Sequence, residues 1–404
     1  MSLSPFASGI DSLDLQLKHL AENHRRAHVR RRRSRSRLGA YGHRLQHRYP
    51  TSTYCKTLLP PLCVVTIVDV ASSCTVGIGF SLNRETSEAY RMALFSMALP
   101  KKRFAELFGF TLNDGEWNCE GLPSFLISDN GPGKKQLAVK ADQTRIPMRE
   151  CTPAWFGQSK ATVESSNPRE TKVEGAPTYV QSDLNPVQMA VREIMRVVMD
   201  NNKRDVREKM TPDMIAAGVL PTSTEMWNYM SARGRTDATP MSFETAVRSF
   251  LTPTTFKLRS DGAYLLHRCF NSPTLRATGI FERLANGQSI DVKGYTLDMC
   301  VRHVWLDING RIIQVDAVFA LRDQGDQISL TELQHLANKE AELLSDLREH
   351  QKATASDFRQ RFKEMTGSDW DAGKRRRGHP KPRSKTSQQG SQEAAMGTAD
   401  RSAR

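Results

Sequence analysis

One run constrains this chain more than any other: Leu62-Cys63-Val64-Val65-Thr66-Ile67-Val68-Asp69-Val70. It is apolar on both faces and rich in β-branched residues, so it suits a central strand covered on both sides rather than a half-exposed one. A turn at Ser72-Ser73 leads into Thr75-Val-Gly-Ile-Gly-Phe-Ser81, a second strand and the natural antiparallel neighbour. Glu85 to Leu99 has helical spacing (Tyr90, Ala93, Leu94, Met97) and is expected to cover one face of the sheet. A third strand, Phe125-Leu126-Ile127, breaks at Asp129 into the turn Asn130-Gly131-Pro132-Gly133. A helix over Lys135 to Ala141 and a short strand near Arg145 to Met148 follow. Periodicity alone therefore gives only an α/β domain.

Two carboxylates in this region have contexts that suit a divalent-metal ligand. Asp129 ends a buried strand where the chain turns outward, so its side chain is expected to project into open space. Glu164 comes 35 residues later in Ser159-Lys160-Ala161-Thr162-Val163-Glu164-Ser165, a helix-competent piece that Pro168 soon limits. Enzymes that cut and join nucleic-acid backbones use such separated carboxylates to hold two Mg²⁺ ions roughly 3.5–4 Å apart, one activating the attacking oxygen and one steadying the leaving oxygen. The bland alternative is a turn Asp and an exposed helical Glu with no metal, since Asp-Asn-Gly is ordinary turn chemistry. Lys160, one helical turn before Glu164, is a candidate phosphate contact or simply a solvated Lys.

Charge favours a polyanionic partner. The net charge is +14 and the pI about 9.6. His24 to Val68 contains no Asp or Glu, and Arg25, Arg26, Arg30 to Arg33, Arg35 and Arg37 crowd into it. A second cluster, Lys374-Arg375-Arg376-Arg377, lies near the C-terminus and is a candidate DNA-contacting tail or a solvated one. Seven scattered cysteines form no Cys-x-x-Cys pair, which argues against a zinc module or disulfide framework and for a reducing cytoplasm. The longest apolar run, Leu58 to Val70, contains Pro60 and Pro61 and falls short of the roughly 20 residues a membrane helix needs. No secretory signal opens the chain.

Downstream, a well-patterned helix follows Pro186 (Val187, Val191, Ile194, Met195, Val198), and residues 210–250 hold helical pieces broken by Pro221 and Pro240. From Thr255 short strands take over: Phe256-Lys-Leu-Arg, Tyr264-Leu-Leu, Ser289 to Tyr295, Cys300 to Leu306 and Arg311-Ile-Ile-Gln-Val. Asp307-Ile-Asn-Gly310 is a hairpin signal, and strands at this spacing predict a small β-barrel. Leu330 to Met365 is amphipathic and is expected to pack on the barrel, with a protomer or partner contact as the alternative. The expected divisions are a basic N-terminal segment (1–55), a core (56–205), a helical connector (206–252), a barrel (253–322), a helical segment (323–370) and a basic, disordered tail (371–404).

Phe125-Leu-Ile-Ser-Asp129-Asn-Gly131, together with Gly157 through Val163-Glu164-Ser165-Ser-Asn167, resembles the catalytic core of retroviral integrases and Mu-type bacterial transposases. The barrel, with Tyr264 ahead of Leu275 and Val301-Arg-His-Val-Trp305 before the hairpin, is similar to the one that follows that core in Mu-type transposases. The resemblance covers roughly Val64 to Arg322. It implies a ribonuclease-H-like fold, a mixed sheet with flanking helices, with an Asp, Asp, Glu triad holding two Mg²⁺ (Mn²⁺ as substitute) and transposition or integration of DNA by strand cleavage and transfer. It also implies transposon-end and target DNA as partners, a homo-oligomer on DNA, a transposon-encoded ATPase partner, and a place on the bacterial nucleoid.

The third carboxylate departs from the pattern. The family's first Asp lies on the strand before Leu62–Val70, which points to about Tyr41 to Pro50, a stretch with neither an acid nor a convincing strand pattern. Asp69 matches a family position that is often Asp but does not bind the metal. Three accounts compete: Asp69 has taken the role, the element is degenerate, or residues 1 to about 55 are read out of frame. Nor is a helix-turn-helix readable upstream, so an end-binding region is expected to be absent or truncated. The rival from another class is a catalytically dead DNA-binding or assembly protein of the same fold, and a further option is a nuclease without joining activity.

Overall fold

A computed structural model describes residues 38–44, 48–54, 56–123, 125–128, 148–151, 180–284, 287–318 and 327–373. The chain divides into two compact units, Met1–Asn338 and Lys339–Arg404.

The first unit opens with strands β1 (Leu38–Arg44) and β2 (Arg48–Tyr49), then β3 (Leu62–Asp69) and β4 (Thr75–Leu82). Helices α1 (Ser87–Ala98) and α2 (Lys101–Leu107) come next, followed by β5 (Phe125–Ser128), β6 (Met148–Cys151) and β7 (Val180–Gln181). Five strands form one sheet in the order β4-β3-β1-β5-β6. β3 runs antiparallel to both β4 and β1, whereas β5 runs parallel to β1 and β6 parallel to β5. Every residue of β3 is buried, as its unbroken apolar run demands.

β1 corrects the expectation that the stretch before Asp69 holds no strand. Leu38 to Arg44 pairs with Asp69 to Cys63 along its full length and takes the centre of the sheet. Sheet pairing is made by backbone N–H and C=O groups. A fully buried β3 must satisfy both its edges, so it recruits a neighbour whose side chains carry no strand pattern. The sheet thus begins at Leu38, ahead of the boundary expected at residue 56.

α1 sits directly on β4, and glycine permits it. A Cβ at Gly77 would lie 2.6 Å from the Ala93 carbonyl oxygen, and one at Gly79 would strike the backbone of Ala89 and lie 2.6 Å from the Ala93 nitrogen. Thr86 caps the helix start by accepting from Ala89 N–H at 3.3 Å. At the other end Lys101, itself buried, donates its ammonium to the carbonyls of Ser96 (2.6 Å), Met97 (3.3 Å) and Leu99 (3.4 Å). Burial holds the Lys101 pKa down at about 8, from an ordinary 10.5.

Helix α3 (Pro186–Lys203) begins with a capping box, Asn185 with Gln188, and Pro186 in its first turn. Its buried Asn201 accepts from Thr75 N–H (2.8 Å) and donates to Thr75 O (2.9 Å), clamping the helix to the start of β4. Three short helices complete the connector: α4 (Pro212–Ala216), α5 (Ser223–Ala232) and α6 (Phe243–Phe250).

The barrel closes as expected, from Thr252 to Ala317. Its strands are β8 (Thr252–Arg259), β9 (Gly262–Leu265), β10 (Arg268–Asn271), β11 (Ile290–Thr296), β12 (His303–Ile308) and β13 (Arg311–Ala317). They run in the closed order β10-β13-β12-β11-β8-β9. β10 has no counterpart among the expected strands. Asn309 (φ 52°) and Gly310 (φ 77°) both take the left-handed region of a two-residue hairpin between Ile308 and Arg311. β12 is buried on two faces. Val304, Leu306 and Ile308 fill the barrel, while Trp305 points the other way onto Phe95 of α1 (6.4 Å between rings) and Phe243 of α6 (6.1 Å).

Helix α7 (Pro273–Arg276) follows β10, and helix α8 (Leu330–Thr366) is one continuous helix of 37 residues. Its first turns are packed, with Leu333 against Val301 and Ile328, and Glu332 accepts from Thr53 N–H (2.8 Å) and Ser329 N–H (3.1 Å). The expectation that the whole segment packs on the barrel is corrected. In the second unit Leu343, Leu344, Leu347 and Phe358 are 43–60 % exposed.

Two outcomes follow. Gly79→Ala should destabilise the protein by about 3 kcal/mol or more in urea denaturation, because the new methyl meets backbone that cannot yield; a change under about 0.5 kcal/mol would refute the close approach. Between pH 8 and 10.5 unfolded Lys101 binds its proton and folded Lys101 does not, so stability rises with pH across that window, by a few kcal/mol at about 1.4 per unit. Lys101→Met should flatten this rise in pH-dependent melting, and an unaltered slope would show that the group does not titrate there.

Candidate metal and nucleic-acid site

β5 ends at Ser128, and Asp129 follows it directly in the chain. Asp129, Lys160 and Glu164 themselves, with Lys374, Arg375, Arg376 and Arg377, lie outside the described residues, as does the helix expected over Lys135 to Ala141. What is described is the strand frame around them.

Ser128 is level with Ala40 of β1, and Ala40 is level with Ile67 of β3. β1 is the strand beside the end of β5, so it is where a further carboxylate would stand to share a metal with Asp129. It reads Leu38-Gly39-Ala40-Tyr41-Gly42-His43-Arg44 and contains no acid. Among the described residues no group of three or more His, Cys, Asp or Glu side chains is placed to hold a metal ion.

Asp69 is the one predicted site residue whose surroundings are described, and they are those of the β3–β4 turn. It pairs with Leu38, two strands from β5 and two residues along from Ile67. At about 4.8 Å between strands and 3.3 Å per residue, that puts it roughly 12 Å from Ser128, well outside a shared coordination sphere. Its Oδ2 accepts from Ser72 N–H at 2.8 Å and Ser72 Oγ at 2.6 Å, which shapes the β3–β4 turn. Ser73 takes φ 58° there. Lys209 reaches the same turn, donating to Val70 O at 2.8 Å and to Ser73 Oγ. Asp69 is fully buried. Burial raises its pKa above the ordinary carboxylate value, although the Ser72 hydrogen bonds and the Lys209 charge pull the other way.

Behind this turn lies a buried polar set with no local sequence signal, because its members are far apart in the chain. Trp117 Nε1 donates to Thr75 O at 2.8 Å, and the Cys74 and Cys119 sulfurs lie 3.2 Å apart as free thiols. Burial, followed by the hydrogen bond with Cys119, pushes the Cys74 thiol well up, so it is an inert packing group rather than a nucleophile. Beside the turn, Arg204, Arg207 and Lys209 line an open cleft. Arg207 is held by Asp205 at 2.7 Å and Arg204 donates to Ser73 O at 3.4 Å, so neither is a free anion receptor.

Among the described residues no helix is long and apolar enough to cross a membrane.

Residues 49–170 match the family model described as the TnsB C-terminal domain. The matched segment includes Asp69, Asp129, Lys160 and Glu164, and residues before 49, with β1 among them, lie outside it. No curated protein matches the chain. Among solved structures, it is similar to a chain of a simian T-cell lymphotropic virus intasome in complex with the PP2A regulatory subunit B56 gamma. That likeness is at 13% identity over 71% of this chain and 82% of that one, with a TM-score of 0.21.

Proposed function

We propose that this chain is a DNA transposase polypeptide of the DDE type whose metal site is incomplete as the chain stands. The observation that carries the reading is the match of residues 49–170 to a transposase domain, a segment that contains both Asp129 and Glu164. The strand order supports it. Three antiparallel strands followed by two parallel ones, in the order β4-β3-β1-β5-β6, is the arrangement a ribonuclease-H-like core would have. In that core the first carboxylate belongs on β1, beside the end of β5. A closed barrel after the core agrees with the Mu-type layout.

The residues do not fit a complete two-ion site. Asp129 and Glu164 would supply two carboxylates and β1 none, while the Oδ2 of the fully buried Asp69 is held by Ser72 at the turn. No cleavage or joining step is therefore derived through Mg²⁺ for this chain. What it keeps is a folded scaffold and a net charge of +14, which suit binding of DNA and assembly on it. An ATPase partner and a nucleoid location belong to the same reading.

The chain as it stands should give no strand transfer with Mg²⁺ or Mn²⁺ on DNA carrying the element's own ends, and chelation by EDTA should change nothing. Activity that Asp129→Ala or Glu164→Ala abolishes would overturn this reading. Ala40 and Tyr41 are successive positions of β1, and successive positions of a strand alternate between the two faces of its sheet. One of Ala40→Asp and Tyr41→Asp, and not both, should tighten Mn²⁺ binding by about tenfold or more in calorimetry, as added ligand charge does. Asp69→Asn should fold and leave Mn²⁺ binding unaltered; a loss of binding would reinstate Asp69 as a ligand.

A further inference from the structure

The second unit presents an apolar stripe that the proposed function does not use. At 1.5 Å per residue, residues 339–366 of α8 extend about 42 Å. Along them Leu343, Leu344, Leu347, Phe358, Phe362 and Met365 recur at helical spacing and share one side. Leu343 is 60 % exposed, Phe358 59 % and Met365 85 %. Phe362 alone has an aromatic neighbour, Trp370, at 5.2 Å. A helix in water draws most of its stability from packing such a face, so the stripe calls for a partner.

Charge identifies the partner. The residues from Lys339 to Glu349 carry four carboxylates (Glu340, Glu342, Asp346, Glu349) against two cations (Lys339, Arg348). From Lys352 to Glu364 the proportion inverts: Lys352, Arg359, Arg361 and Lys363 against Asp357 and Glu364. This length is neutral in a chain of net charge +14, so it offers a polyanion nothing. It also lacks the basic polar face that holds a helix on an anionic lipid surface. Its acidic half complements its own basic half, and that match arises only when two copies run in opposite directions.

We propose that α8 pairs with the α8 of a second copy, antiparallel, through this stripe. The leucine end of one helix (Leu343, Leu344, Leu347) then lies on the phenylalanine end of the other (Phe358, Phe362), and each acidic half faces a basic half. Parallel pairing sets like half on like half. The association needs no DNA and no metal, so it stands whether or not the chain joins strands.

Sedimentation velocity of the full chain without DNA, at tens of micromolar, should show a dimer. Leu347→Glu with Phe358→Glu should weaken self-association by about a hundredfold or more, the cost of two lost apolar contacts at about tenfold or more each. Both positions are exposed, so circular dichroism and the melting of the first unit should not change. Cross-linking a mixture of isotope-labelled and unlabelled chains should join Lys363 of one copy to the 340–349 peptide of the other. A monomeric wild-type chain, a dimer that survives the double substitution, or inter-copy links joining like halves would each overturn the proposal. So would a stripe that becomes protected from hydrogen exchange only when lipid vesicles or DNA is added.

Discussion

The contact of α1 with Gly77 and Gly79 of β4 is the joint on which the first unit depends. Two side-chain-free positions let helix backbone approach strand backbone. That brings the helix's other faces close enough to use. Phe95 on α1 meets Trp305 of the barrel and Phe243 of the connector, so one helix seats the mixed sheet on one side and the barrel on another. Trp305 is fully buried and lies on the outer face of a strand whose inner face fills the barrel. Sheet and barrel accordingly share a core instead of hanging from a linker. Lys101 shows what this packing costs: its ammonium is kept where burial opposes charge, in exchange for closing three α1 carbonyls.

A strand can complete a sheet whatever side chains it carries. β1 contributes backbone groups to β3 on one side and β5 on the other, and that role is indifferent to its side chains. A carboxylate at a strand position, in contrast, is a matter of one residue. The same strand therefore completes the sheet while carrying no acid. Asp69 illustrates the converse. Its carboxylate is fixed by a neighbouring serine and its own burial, and both bind it to the turn.

The elements legible in the sequence were those whose signal is local. The unbroken apolar run of β3, the spacing of α1, the Asn-Gly hairpin and the helix after Pro186 each carry their reason within a few residues. β1 was illegible because its place is dictated by the vacant edge of β3 rather than by its own pattern. β10 is four residues long with one fully buried side chain, Phe270, too short for any period to show. The polar set around Thr75 joins positions 75, 117 and 201, a meeting that only the folded chain creates. For the candidate site, the sequence identified Asp129 and Glu164 by context and raised the doubt over the first acid. The strand register adds only that β1 runs beside the end of β5, with Ala40 level with Ser128.

The amphipathic pattern of Leu330 to Met365 was read correctly as a pattern and wrongly as a destination. Hydrophobic spacing says that a face must be covered and is silent on what covers it. The first turns meet Val301 and Ile328, and farther along the helix Leu343, Leu344, Leu347, Phe358 and Met365 stand exposed. The distribution of charge supplies what periodicity lacks. Basic residues are concentrated at positions 25–37 and 374–385, whereas the exposed helix between the barrel and the tail is neutral and polarised along its length. Attraction to a polyanion and attraction between copies thus reside on different segments. Salt should weaken the first steeply and the second only modestly, because apolar contact along the helix survives where phosphate contacts are screened.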